Sequence, residues 1–114
     1  IKINEICPQL ENLLEKHAID QWAFITAFNP YSKELNENEN YTRHLNLIKD
    51  VDTFLYFEGI GKGLDVSWEP EKSLLILGIT EIQAMKLCIK YEQNAIVIGN
   101  IGKPAQLIFN ENLN

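Results

Sequence analysis

The apolar run of residues 22–28 constrains the fold of this chain more than any other feature. Its side chains are apolar on both alternating faces apart from Thr26, and the run stops at Asn29 and Pro30. A strand that is covered on both sides has such a continuous apolar sequence. Asn29 and Pro30 favour a turn over a helix. We therefore predict a central strand here, with polar side chains delivered at its end.

Length and charge exclude several classes of protein. A chain of 114 residues can bury one core, so we predict a single α+β domain over residues 1–114. Ten basic and sixteen acidic residues give a net charge of −6, which disfavours binding to nucleic acid phosphates. No apolar stretch approaches the ~20 residues of a membrane span. Cys7 and Cys88 belong to no zinc or redox motif. We thus predict a cytoplasmic protein with no cofactor, metal, nucleic acid or membrane partner.

Three stretches have the periodicity of helices. They are residues 8–18, 37–49 and 81–91. Asn36 or Asn38 can cap the second helix, and Thr80 can cap the third. In the second helix the spacing predicts an apolar core stripe. Its members are Tyr41, His44, Leu45 and Ile48.

Four further stretches have the composition of strands. They are residues 53–58, 73–79, 95–99 and 106–109. The element order α-β-α-β-β-α-β-β contains the β-α-β-β-α-β pattern of ferredoxin-like folds. The fold class we predict is therefore α+β, a ferredoxin-like split β-α-β sandwich with a mainly antiparallel sheet, an extra N-terminal helix and an extra C-terminal strand. We expect its central strands to be parallel to each other, and the tail from Asn110 to be frayed.

A long connection, residues 59–71, follows the second strand, and loops of this length are often functional. Its alternating glycines match neither GxxxxGK[ST] nor GxGxxG. A plain loop held to the core by Trp68 is therefore favoured over a phosphate-binding loop. Four carboxylates lie in or beside it: Glu58, Asp65, Glu69 and Glu71. They are compatible with a magnesium site or with a solvated acidic loop.

Several short motifs occur along the chain in a fixed order. They are Thr26-Ala27-Phe28-Asn29-Pro30-Tyr31-Ser32, Glu39-Asn40 with Arg43, Gly61, Trp68-Glu69-Pro70-Glu71 with Ser73, Leu77-Gly78-Ile79 and Gln93-Asn94-Ala95. Together, over residues 23–109, they resemble the bacterial DUF3293 family, a domain of unknown function. Residues 63–67 and Lys72 depart from the family's loop pattern. The resemblance implies no activity, but it does imply which polar residues matter.

These polar residues form the candidate site. The candidate ligand-binding residues are Asn29, Ser32, Asn40, Arg43, Trp68, Glu69, Glu71, Gln93 and Asn94. Arg43 is the only arginine in the chain, and it predicts either a surface salt bridge or recognition of an anionic group. If Asn29, Arg43 and the two glutamates converge, they suit a small polar or anionic ligand.

Three functions follow from this reading. The favoured one is a small-ligand or partner-binding regulatory module. The first alternative is an interaction or structural subunit, which forms a homo-oligomer through an exposed strand edge near Phe109. The second is an enzyme that uses Glu69 or Glu71 as a general base. The sequence contains no evident Ser/His/Asp or Cys/His set, so whether the protein is an enzyme stays open.

Overall fold

The computed structural model describes residues 1–61 and 69–112 of the chain. These residues form an α+β structure with three α-helices and a five-stranded antiparallel sheet. The helices are α1 (Pro8–His17), α2 (Glu37–Asp50) and α3 (Glu81–Lys90). The strands are β1 (Gln21–Thr26), β2 (Leu55–Gly61), β3 (Glu71–Leu77), β4 (Ala95–Asn100) and β5 (Gln106–Phe109).

The order of strands in the sheet is β2-β3-β1-β4-β5, which places β1 in the centre as its apolar sequence predicted. The central strands β1 and β3 are antiparallel, so our expectation of a parallel central pair was wrong. The physical reason is that the chain reverses between the antiparallel strands β2 and β3, so β3 runs opposite to β1 when it pairs with it. The ferredoxin-like split arrangement is not confirmed. The extra helix α1 and the extra strand β5 are present.

Helices α2 and α3 cover one face of the sheet and enclose the main core. There Ile25 and Ile76 of the sheet pack with Leu47 of α2 and Cys88 of α3. Burial raises the pKa of the Cys88 thiol to about 11, which is the behaviour of an inert core cysteine. Helix α1 covers part of the opposite face, over Trp22. The centre of the sheet therefore lies between α2 and α3 on one face and α1 on the other.

The Trp22 ring lies against the backbone of β4 at Gly99, and the absence of a side chain there makes room for it. A Cβ atom at Gly99 would lie 2.3 Å from the Trp22 ring. Because contacts this short do not occur between real Cβ atoms and rings, any side chain at Gly99 would displace the indole. The indole packs with Leu10 and Leu14 of α1 in the same apolar cluster.

The helix caps agree with the sequence. Asn36 accepts a hydrogen bond from the Glu39 N–H at 2.8 Å and caps α2. Thr80 caps α3 in a reciprocal arrangement with Gln83. Within the described ranges, none of the helices has the length and apolar sequence that a bilayer crossing requires.

The buried face of α2 differs from the predicted stripe. Tyr41 and Leu45 were expected in the core but are 49% and 41% exposed. Asn40, His44 and Leu47 are the buried residues of this helix. Asn40 takes the inner face because it hydrogen-bonds to the turn after β1, and His44 Nε2 lies there 2.9 Å from Glu58 Oε1 of β2.

Further boundaries differ from the sequence prediction, and β3 spans Glu71–Leu77 where we predicted residues 73–79. Strand β2 continues through Gly59 to Gly61, where we predicted a loop. The reason is packing, since the Phe24 ring lies over both glycines, 3.4 Å and 3.5 Å from the Cβ positions they lack. Asn110 was expected to be frayed, but it is buried. Its side chain donates to the Gln93 carbonyl at 2.9 Å, which anchors the end of β5.

Candidate functional site

The chain turns sharply after β1, and three non-glycine residues there have left-handed backbone angles. Asn29, Tyr31 and Ser32 have φ values of 48°, 50° and 61°. Asparagine tolerates this region, but for other side chains it costs of order 1–3 kcal/mol and persists only when the surroundings hold it in place. The turn over Pro30–Ser32 therefore needs external support, which polar side chains supply.

Asn29 and Asn40 hold the turn through reciprocal hydrogen bonds. The Asn29 N–H donates to Asn40 Oδ1 at 2.9 Å, and Asn40 Nδ2 donates to Asn29 Oδ1 at 2.8 Å. The Leu35 N–H also donates to Asn29 Oδ1, at 3.0 Å. The remaining amide group, Asn29 Nδ2, donates to Glu71 Oε2 at 2.9 Å. Asn29 thus links the turn after β1 to α2 and to the start of β3.

Arg43 donates hydrogen bonds to backbone carbonyls in two separate parts of the chain. Its Nε donates to the Ala27 carbonyl at 2.7 Å, and its Nη2 donates to the Tyr91 carbonyl at 2.5 Å. Glu92 Oε1 lies 3.7 Å from its Nη1, which is the salt bridge that the sequence offered as one interpretation. The guanidinium therefore joins the end of β1 to the end of α3.

Gln93 reinforces the same junction. Its Nε2 donates to the carbonyls of Phe28 and Tyr91, both at 3.0 Å. We call Asn29, Asn40, Arg43 and Gln93 the polar cluster. Nearby, Asn94 Nδ2 donates to Ser32 Oγ at 2.8 Å on the surface. Six of the nine residues predicted for the site therefore bind the chain itself at this junction.

Behind the polar cluster, Tyr91 is fixed by its hydroxyl. This hydroxyl and Lys90 Nζ both donate to Asp50 Oδ2 at 2.6 Å. Burial, helped by the bond to Asp50, raises the pKa of Tyr91 well above its usual range. Burial opposes ionisation of Asp50, but the hydrogen bonds from Lys90 and Tyr91 outweigh it, so the pKa of Asp50 is lowered.

A cleft of about 720 Å³ opens beside the polar cluster. It lies between the turn after β1, the beginning of α2 and the entry to β3. Its lining residues are Phe28, Asn29, Glu34, Leu35, Glu37, Asn38, Asn40, Tyr41, Glu69, Pro70, Glu71 and Lys72. We call this set of residues the cleft.

The cleft brings together four of the nine predicted site residues. These are Asn29, Asn40, Glu69 and Glu71. Four others lie outside its lining, namely Ser32, Arg43, Gln93 and Asn94. Trp68 lies outside the residues that the structure describes. Of the residues whose convergence the sequence raised as a condition, Asn29, Glu69 and Glu71 line the cleft, and Arg43 lies at the junction next to them.

The cleft is acidic. Among the residues that the structure describes, its lining contains four carboxylates, from Glu34, Glu37, Glu69 and Glu71, and one lysine, Lys72. Within residues 1–61 and 69–112, the carboxylates of Glu34, Glu37 and Glu69 accept no hydrogen bond and form no ion pair. Lys72 Nζ lies 5.2 Å from the centre of the Tyr41 ring, in the range of a cation–π contact.

Sequence reasoning missed several of these lining residues. Tyr41 was assigned to the core, and Glu37 was not assigned to the site. Glu34 and Lys72 carried no motif. The available signal was the acidic stretch of residues 34–39, which faces the glutamates at the entry to β3.

The four carboxylates that the sequence left compatible with either a magnesium site or a solvated acidic loop do not converge among the described residues. Asp65 lies outside the described residues. Glu58 Oε1 lies 2.9 Å from His44 Nε2, within hydrogen-bond distance, and Glu58 does not line the cleft. Among the described residues, no group of three or more histidine, cysteine or acidic side chains is placed to hold a metal ion. The other ring nitrogen of His44, Nδ1, is buried and has no hydrogen-bond partner among the described residues.

Comparison with known proteins adds one match. The model of a family described as "Protein of unknown function (DUF3293)" matches residues 25–96, which is 72 of the 114 residues. This range contains the whole cleft and the whole polar cluster. No curated protein and no solved structure matches the chain.

Proposed function

The chain belongs to the DUF3293 family, whose function is unknown, and we propose that it is a small-ligand-binding module whose site is the cleft. The observation that carries the proposal is the volume of about 720 Å³ together with its lining. Pockets for small molecules typically have about 300–1,000 Å³ and a few convergent polar groups. Amides from the turn and α2 meet glutamates from the entry to β3 here.

The charge of the cleft favours a ligand that carries an amine. Glu34, Glu37 and Glu69 have no described partner, and an ammonium group would neutralise them. Tyr41 adds an aromatic face, which also attracts cations. An anionic ligand has less support, because Arg43 is committed to the carbonyls of Ala27 and Tyr91 and does not line the cleft.

A matched series of probes tests this function. Cadaverine, pentanediol and glutarate have the same five-carbon chain and differ in charge, from a diamine to a neutral diol to a dicarboxylate. We expect amide NMR signals of cleft residues such as Asn38 and Glu69 to shift with cadaverine in a saturable manner. Pentanediol should bind about fivefold more weakly or worse, since two ammonium groups near carboxylates together contribute of order 1 kcal/mol or more.

Two outcomes of the series would contradict the proposal. Shifts that are absent with all three probes would argue against a ligand site at the cleft. Tighter binding of glutarate than of cadaverine would retain the site and reject the amine. Titration at low ionic strength is the most sensitive form of the measurement, because exposed charges are screened by salt.

Other predictions from the sequence accompany this proposal without further support. They are the regulatory role, the cytoplasmic location, the bacterial origin and the ferredoxin-like classification. The alternative of an interaction subunit is compatible with the edge position of β5, where Phe109 is 67% exposed. The alternative of an enzyme with Glu69 or Glu71 as base would require a substrate in the same cleft.

A further inference from the structure

Lys72 is the cationic side chain among the described residues of the cleft. Lys72 Nζ lies 5.2 Å from the centre of the Tyr41 ring. Both residues line the cleft. Neither residue was among the site residues that the sequence predicted.

The position of Lys72 follows from the strand that carries it. Side chains two positions apart in a strand share a face, and Leu74 belongs to the core beneath α2 and α3. Lys72 therefore points to the face on which α2 lies. Its backbone is fixed by pairing with Ile60 in β2 and by a hydrogen bond of 2.7 Å from Thr26 Oγ1 to its carbonyl. A fixed backbone holds the base of the side chain at one place beside Tyr41.

We propose that Lys72 is an internal occupant of the cation subsite formed by the Tyr41 ring, and that an amine ligand must displace it. This inference rests on the function proposed above, because it concerns the same cleft. Lys72 then determines specificity. Only a ligand whose cationic group outcompetes a tethered ammonium fills the cleft, so weak or singly interacting cations are rejected.

Displacement of Lys72 predicts a gain in affinity when the lysine is removed. Lys72→Met should bind cadaverine about two- to fivefold more tightly, the range that corresponds to one cation–π contact at an exposed site. Lys72→Arg, which keeps a cation able to stack on Tyr41, should bind as the unchanged protein does. Both variants alter an exposed side chain and should remain folded.

A charge control separates displacement from simple repulsion. Lys33→Met removes one positive charge beside Glu34, and Lys33 does not line the cleft. If Lys33→Met increases the affinity for cadaverine as much as Lys72→Met does, only the net charge matters and the inference is overturned. A gain confined to Lys72→Met supports it.

Direct observation of Lys72 completes the test. Protons on the terminal methylene of Lys72 should be shifted upfield by the Tyr41 ring in the free protein, and Tyr41→Leu should abolish this shift. Saturation with cadaverine should abolish it as well. An upfield shift that persists at saturation would show that Lys72 stays on the ring, and it would overturn the inference while leaving the ligand site intact. Failure of cadaverine to bind any variant would instead contradict the proposed function.

Discussion

The polar cluster and the rim of the cleft lie side by side, but they use polar residues in opposite ways. In the polar cluster, Arg43 and Gln93 direct their donors at backbone carbonyls, and Asn40 is almost completely buried. At the rim, Glu34 and Glu37 are exposed and bind no other described residue. The polar groups of the cluster bond to other parts of the protein, whereas the carboxylates of the rim are exposed to solvent.

Because of this difference, we expect stability and ligand binding to depend on different residues. A buried polar group that loses its partner costs about 1–3 kcal/mol, whereas an exposed group without a partner costs almost nothing to remove. Residues of the polar cluster should therefore control stability, and residues of the rim should control binding. Asn29 and Asn40 belong to both the cluster and the lining of the cleft, so substitutions there would confuse the two effects.

Arg43→Ala is expected to show the largest effect and to act on stability alone. It removes two charge-assisted hydrogen bonds to carbonyls, each of which contributes about 1.5 kcal/mol or more, so the free energy of unfolding should fall by about 3 kcal/mol. Urea unfolding followed by circular dichroism measures this. The folded fraction should bind cadaverine with unchanged affinity.

Arg43→Lys is the matched control, because it keeps the charge but lacks the planar fork that reaches two carbonyls. It should recover less than half of the loss. If Arg43→Ala instead leaves stability unchanged and weakens cadaverine binding, the assignment of Arg43 to the architecture is wrong, and the guanidinium takes part in recognition.

The sequence predicted the elements better than it predicted the roles of the polar residues. Helix caps and strands depend on local patterns, so Asn36 and Thr80 were placed correctly. The continuous apolar run also identified β1 as the central strand. Such features need no knowledge of which distant segments meet.

Roles that depend on distant contacts were not predictable in the same way. Arg43 binds carbonyls at positions 27 and 91, and carbonyls carry no signature in a sequence. Tyr41 looked like a core residue, because spacing on a helix does not reveal whether neighbouring polar side chains find buried partners. The glycines of β2 suggested a loop, since the Phe24 ring that covers them lies in another strand.

Glu37→Gln should show a smaller effect, on binding rather than on stability. The loss of one exposed carboxylate near a bound ammonium should weaken cadaverine binding about threefold, in the range of an exposed ion pair. Glu81→Gln is a matched control, because Glu81 opens α3 as Glu37 opens α2 but lies outside the cleft. Both variants lose the same favourable interaction with a helix N-terminus, a few tenths of a kcal/mol.

The difference between the two variants measures the contribution of a carboxylate in the cleft to cadaverine binding. Isothermal titration calorimetry with cadaverine should show the decrease for Glu37→Gln and no change for Glu81→Gln. Equal affinities in the two variants would mean that the rim carboxylates do not recognise the amine. The rim would then be an ordinary solvated surface.

Asp50→Asn is expected to show the smallest effect, and it tests whether ionisation contributes to the support behind the polar cluster. The pKa of Asp50 is lowered in the folded protein, so its contribution to stability is present above the pKa of the unfolded chain, about 4. It is lost as the pH falls through the lower folded value. Between these limits the unchanged protein should lose stability more steeply than Asp50→Asn does, by about 0.5 kcal/mol, as for a partly exposed ion pair.

Urea unfolding at a series of pH values from about 7 to about 2 measures this difference. All other carboxylates are common to both proteins, so the difference between the two curves reports Asp50 alone. Because the Tyr91 carbonyl accepts hydrogen bonds from Arg43 and Gln93, a loosened Tyr91 should weaken their grip on the turn after β1. If the two proteins show the same pH dependence of the free energy of unfolding, the bonds from Tyr91 and Lys90 do not favour ionised Asp50 over its hydration by water. The polar cluster would then be stabilised by its neutral hydrogen bonds and by Arg43 alone.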